Sequence, residues 1–137
     1  MGPSVCSGDG TSEGFMKKMV DGTNGKIMRR RIAFVDVRDC AIAHLKAVQV
    51  AEAAGKRFLM CGKDAWVKEV AEILAPYNEK GYKVPTVLAD GENPEPDNDS
   101  DNTRSREVLG IEYTPFEKTL TDMVDSLIAA GKVKPSA

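Results

Sequence analysis

The chain has 137 residues, 42% of them hydrophobic and 29% charged, which suits one soluble domain with a modest core and excludes collagenous, disordered or membrane-embedded classes. Nineteen basic residues against 21 acidic ones leave a formal charge of -2, so no global field draws the chain to nucleic acid or anionic lipid. No apolar run approaches the ~20 residues that a bilayer span requires, and nucleic acid and membrane are set aside as partners.

Met1 to Gly14 is rich in Gly and Ser and reads as a loop. Ser12 then caps an expected short helix through Val20, with Phe15, Met16 and Met19 at helical spacing and Asp21-Gly22 closing it. The basic run Arg29-Arg30-Arg31 precedes Ile32-Ala33-Phe34-Val35-Asp36-Val37, an apolar, β-branched segment expected to form a strand buried on both faces. The run itself reads as a solvated strand edge. Asp39 is expected to cap a helix reaching Ala54, with Ile42, Leu45 and Val48 on one side, Lys46 solvated and Gly55 as the stop.

A second strand is expected over Lys56 to Cys61, followed by a helix capped by Asp64 in which Val67, Val70, Ala71 and Leu74 share a face and which Pro76 ends. The order strand, helix, strand, helix points to an α/β layer rather than a helical bundle. Val84 to Leu88 has the pattern of one more short strand, restricted by Pro85 to an edge or a start. Asp90 to Asp101 is acidic and nearly free of apolar side chains, and a mobile loop is expected at 90–101. Asn102 is placed as the cap of a short helix ending at Leu109-Gly110. Thr114, Pro115 and Glu117 spell a capping box, after which Phe116, Leu120, Met123, Val124, Leu127 and Ile128 make an apolar stripe that ends at Gly131. The whole of 1–137 reads as one domain.

Three cysteines (Cys6, Cys40, Cys61) at wide spacing, with no CxxC pair and no leader ahead of them, suggest reduced thiols and a cytoplasmic setting. One histidine, His44, leaves no partnered base and no metal site, and it is read as a packing or hydrogen-bonding residue. Trp66 is read the same way. Gly22-Thr23-Asn24-Gly25 holds two glycines, but Met28 stands where a third would lie and no apolar strand precedes it, so a plain turn is expected and not a pyrophosphate cradle. GxSxG, HExxH and GxxxxGK patterns do not occur in the chain.

Phe34-Val35-Asp36-Val37-Arg38-Asp39 followed by Ala41, Ala43 and His44 resembles the FVDVRDxAxAH segment of extended short-chain dehydrogenase/reductases, including dihydroflavonol, cinnamoyl-CoA and methylglyoxal reductase-like enzymes. Gly2-Pro3, Gly55-Lys56-Arg57-Phe58, Val84-Pro85-Thr86, Arg106 to Gly110 and Phe116 to Leu127 are similar to further segments of the later part of that family. The resemblance implies an α/β fold: the C-terminal, substrate-side part of an extended Rossmann-type reductase, with a few short strands and amphipathic helices. It implies NADP or NAD as coenzyme of the whole enzyme, a small-molecule carbonyl or secondary alcohol as substrate, and Pro3, Val5, Met28 and Arg31 as residues bordering the substrate. The family's proton transfer uses the pattern YxxxK. Here Tyr77 is followed by Gly81, Tyr82 by Thr86 and Tyr113 by Glu117 at the lysine position. The chain alone is therefore expected to be inactive and to hold no coenzyme. The competing expectation is a non-catalytic interaction module of the same fold, self-associating through a face left uncovered.

Overall fold

The computed structural model describes residues 1–4, 10–94 and 99–136. Five α-helices and two strands follow in the order α1 (Thr11–Val20), β1 (Arg31–Phe34), α2 (Val37–Gln49), β2 (Lys63–Trp66), α3 (Val67–Leu74), α4 (Thr103–Leu109) and α5 (Phe116–Ala129). The expected mixed α/β class is therefore the observed one, and the expected strand, helix, strand, helix order survives as β1, α2, β2, α3. The two strands pair antiparallel, with Arg31 opposite Trp66, Ile32 opposite Ala65, Ala33 opposite Asp64 and Phe34 opposite Lys63. Because side chains alternate across a strand, Ile32, Phe34 and Ala65 face the core while Arg31, Ala33, Asp64 and Trp66 share the outer face. The expectation of a strand buried on both faces is thus corrected: β1 is shorter, and Ala33 is exposed.

One core lies between this ribbon and three helices. Met16, Met19 and Val20 of α1, Val67, Val70, Ala71 and Leu74 of α3, and Leu120, Met123, Val124 and Leu127 of α5 are all buried there. The face expected of α3 and the stripe expected of α5 are the faces that pack. Phe34 links them, with its ring 6.4 Å from that of Phe15 and 5.1 Å from that of Phe116. A smaller cluster of Ala43, Ala53, Leu109 and Ile111, flanked by Phe58, Met60 and Tyr113, lies under α2 and α4.

Several caps differ from the local pattern, and at Asp39, Thr114 and Asp64 a distant group takes the side chain. α1 starts two residues earlier than expected, with Gly10 rather than Ser12 at its N-cap. Asp36, not Asp39, caps α2, accepting from the Arg38 backbone N–H at 2.9 Å. Asp39 turns inward and accepts from the backbone N–H and the hydroxyl of Thr114, both at 2.8 Å. That removes Thr114 from capping duty, and α5 begins behind Pro115 without a side-chain cap.

The expected second strand at 56–61 does not form, its Arg57 and Cys61 carbonyls accepting instead from the side chains of Arg104 and Asn102, and β2 occupies the positions assigned to the start of the next helix. Asp64 caps nothing: it accepts from the backbone N–H and hydroxyl of Ser100 at 2.8 and 2.9 Å. The start of α3 is held instead by Glu69, whose carboxylate accepts from the Trp66 N–H at 2.8 Å. Residues 84–88 form no strand either; Ile27 and Leu88 make an isolated parallel bridge, with Ile27 donating to Val87 and Ala89 donating to Ile27. α2 stops at Gln49, and a 3-10 turn over Ala51–Ala53 leads to Gly55, whose φ of +68° turns the chain back. Of the segment 90–101, residues 95–98 lie outside the described residues. Its described ends are tied down, Asp90 by Lys26, Asn93 by Arg29 and Asp99 by Arg31.

Candidate functional site

A cleft of about 330 Å³ opens beside the ribbon, lined by Met28, Arg29, Trp66, Lys68, Glu69, Glu72, Leu88 and Asn93. Chain order explains the lining. Trp66 ends β2 on the ribbon's outer face, α3 begins immediately after it and carries Lys68, Glu69 and Glu72 past the opening, and the Ile27–Leu88 bridge sets Met28 and Leu88 side by side. The charged groups around the rim are largely engaged with one another. Arg29 donates through Nε to the Ala89 carbonyl at 2.7 Å and through Nη1 to Asn93 at 2.9 Å, Lys68 lies 3.5 Å from Glu72, and Glu69 holds the Trp66 N–H. The lining is thus mixed: Met28, Leu88 and Trp66 contribute an apolar patch beside these charged groups, a combination suited to the body of a small organic molecule with a polar end.

A second cavity of about 240 Å³ is lined by Arg31, Cys61, Gly62, Lys63, Asp64, Asp99, Ser100 and Asn102 and is far more polar. Arg31 pairs there with Asp99. The residues expected to border a substrate are thus separated: Met28 lines the apolar cleft, Arg31 the polar cavity and Pro3 neither. Pro3 follows the buried Gly2, whose φ of +105° and close approach to Asp36 leave no room for a Cβ. Val5 lies outside the described residues. Trp66 and Leu88 join Met28 in the cleft and were not among the expected residues. The alternation of Asp64 and Trp66 about the apolar Ala65 is the signal that marks them as outward-facing strand positions.

The motif acids do structural work. Asp36, buried at the end of β1, accepts from the Arg38 N–H and Nε at 2.9 and 2.8 Å and from the Thr119 hydroxyl at 2.8 Å. Arg38 reaches on to Asp122 at 2.6 Å, so the node fastens the start of α2 to α5. Burial alone would raise the Asp36 pKa, but the Arg38 and Thr119 hydrogen bonds and the guanidinium charge outweigh it and hold the carboxyl at about 2.

The tyrosines, the histidine and the described cysteines lie outside the cleft. Tyr77 is buried and donates to Asp125 at 2.7 Å; burial, and then the neighbouring carboxylate, push its ionisation well above the ordinary phenol range. The Tyr113 hydroxyl is paired with Ser105 at 2.6 Å. His44 is exposed on α2, its Nδ1 2.7 Å from the Cys40 carbonyl. Cys40 and Cys61 are free thiols. Among the described residues no group of three His, Cys, Asp or Glu side chains is arranged for a metal ion, and no helix is long and apolar enough to cross a membrane. The glycines at 22 and 25 do not fit a coenzyme pyrophosphate. They follow α1 rather than a strand, Asn24 N–H closes back on Lys18, and a side chain at Gly22 would meet Lys83.

The architecture is that of the Rossmann-type α/β reductases. The yeast methylglyoxal/isovaleraldehyde reductase Gre2 complexed with NADPH superimposes on 96% of the chain with a TM-score of 0.72 at 21% identity, using 44% of its own chain. Gre2 from Candida albicans matches 95% with a TM-score of 0.68 at 26% identity. Sequence relatives agree. Cinnamoyl-CoA reductase 2 of Medicago truncatula is 32% identical over 114 residues, 83% of this chain and 33% of that protein. Cinnamoyl-CoA reductase 1 of Arabidopsis thaliana is 35% identical over 103 residues, 75% of this chain and 29% of that protein. No family model matches the sequence.

The chain belongs to the extended short-chain dehydrogenase/reductases and corresponds to a C-terminal portion of them. It spans about a third of the length of the curated relatives it matches.

Proposed function

We propose that this chain supplies the substrate-side portion of an NAD(P)-dependent oxidoreductase acting on a carbonyl or secondary alcohol, and that it is inactive alone. The cleft of Met28, Trp66 and Leu88 carries the reading: it offers an apolar patch for a substrate body, and no tyrosine borders it. Hydride comes from the bound coenzyme in such an enzyme, and the tyrosine and lysine that move the proton belong to the part this chain does not match. Met28 and Trp66 would orient the carbonyl compound and shield it from water. Pro3, Val5 and Arg31 stay in the proposal as border residues.

Trp66 is the chain's single tryptophan, so its fluorescence reports the cleft directly. Titration with an aromatic carbonyl such as cinnamaldehyde is expected to quench it saturably, and Met28→Asp to weaken that quench several-fold. Quenching indifferent to Met28→Asp, or tight stoichiometric binding of NADPH by the chain alone, would contradict the reading.

The exposed apolar side of α2 favours a second reading, a non-catalytic interaction module of the same fold. Coding sequence upstream of Met1 separates the two. A glycine-rich turn and YxxxK in frame support the reductase portion, and their absence the module.

A further inference from the structure

The ribbon's outer face joins the two cavities. Arg31 and Trp66 are register partners on that face, where directly opposed side chains have Cβ atoms ~5 Å apart, so the guanidinium stem starts beside the indole. Trp66 lines the cleft and Arg31 the polar cavity. A second link repeats the first: Lys63 of the polar cavity lies 3.8 Å from Glu69 of the cleft.

The two acids of the polar cavity are not alike. Asp64 is committed, its oxygens accepting from the Ser100 backbone N–H and hydroxyl at 2.8 and 2.9 Å. Asp99 pairs with Arg31 through a side chain that is 81% exposed, against 23% for Arg31. A pair with so solvated an acid is held weakly, because water competes for the carboxylate and side-chain freedom is lost in holding it. Nor is it needed to fix the segment, since the Asp64–Ser100 bonds already fasten the next residue to the ribbon. Arg38 shows the contrast: its partner Asp36 has a fully buried side chain. Asp99 thus sets a replaceable carboxylate on a partly buried guanidinium, whose planar fork matches the two oxygens of a carboxylate. An incoming acid that also lays an apolar body on Trp66 and Met28 gains apolar burial that an aspartate side chain cannot supply.

We propose that the substrate carries a carboxylate besides its carbonyl or hydroxyl group, the acid taking the place of Asp99 on Arg31 while the apolar body lies on Trp66 and Met28. Asp99 is then a built-in competitor that neutral carbonyl compounds leave in place. This rests on the reductase reading above and names the substrate class.

Two probes of one shape separate charge from body: 4-formylbenzoate, ionised at neutral pH, and its uncharged methyl ester. Fluorescence of the chain's single tryptophan reads both. The acid is expected to bind about tenfold more tightly than the ester, the margin left to one charge-assisted pair after a competing acid is displaced. Arg31→Gln should abolish that preference and leave the ester's affinity unchanged. Asp99→Asn, on the exposed side of the pair, should raise the acid's affinity several-fold and again leave the ester's unchanged. Lys46→Gln, on α2 and outside both cavities, should alter neither. Equal affinity of acid and ester, a preference that survives Arg31→Gln, or an Asp99→Asn chain that binds the acid no more tightly overturns the proposal. The two readings fail separately. Ester binding that Met28→Asp weakens, without a preference for the acid, keeps the reductase cleft and removes the carboxylate. An Arg31-dependent preference with quenching indifferent to Met28→Asp supports the carboxylate site and removes the cleft's part in the reductase reading. Absence of saturable quenching by either probe removes both.

Discussion

α2 and α5 are helices of nearly equal length, each with an apolar stripe, and they use it in opposite ways. α5 buries Leu120, Met123, Val124 and Leu127 in this chain's own core, while α2 turns Leu45 and Val48 to solvent and packs through Ala43. Helical periodicity records that a stripe will be covered, not by what. The core contacts of α5 thus lie within the chain, whereas α2 is held by the Asp36 and Asp39 fastenings at its start and by Ala43.

The largest effect that would break this contrast is expected in the core. Leu127→Ala should cost about 2–5 kcal/mol in urea unfolding, since the side chain is fully buried between helices. A loss under 1 kcal/mol would mean that α5 is not the anchor. Asp36→Ala comes next, at about 1–3 kcal/mol, because it removes a helix cap, leaves the Thr119 hydroxyl without its acceptor and leaves Arg38 with Asp122 alone.

The same carboxylate gives a pH signature. Its folded pKa lies below the ordinary value of 3.8, at about 2, so its contribution is present above about pH 4 and is lost as pH falls toward 2. Acid unfolding followed by circular dichroism should show a loss of stability in that window that Asp36→Asn flattens. Smallest of all, Leu45→Ala should change the free chain's stability by less than about 0.5 kcal/mol. A cost like that of Leu127→Ala would show that α2 already packs fully within the chain.

Much of the fold was legible because its signals are local. Val67, Val70, Ala71 and Leu74 repeat at helical spacing and all four are buried, as is the α5 stripe from Leu120 to Leu127. Where local grammar failed, a distant group had claimed the residue. Thr114 looks like a cap until Asp39, 75 positions earlier, accepts its hydrogen bond. Asp64 looks like one until Ser100 is in place. Phe58 and Met60 have strand composition, yet strand pairing is decided by a partner, and β1 pairs with 63–66. The site was half legible for the same reason. Met28, expected from the resemblance, lines the cleft, whereas Trp66 enters it only because the ribbon's register turns it outward.

Native-state hydrogen exchange on the free chain compares the two helices most directly. The account predicts that amides in the middle of α5 exchange only through global unfolding, while those of α2 between its fastened start and Gln49 exchange at least tenfold faster through local opening. Equal protection of the two would contradict it, because α2 would then be as fully supported by this chain as α5.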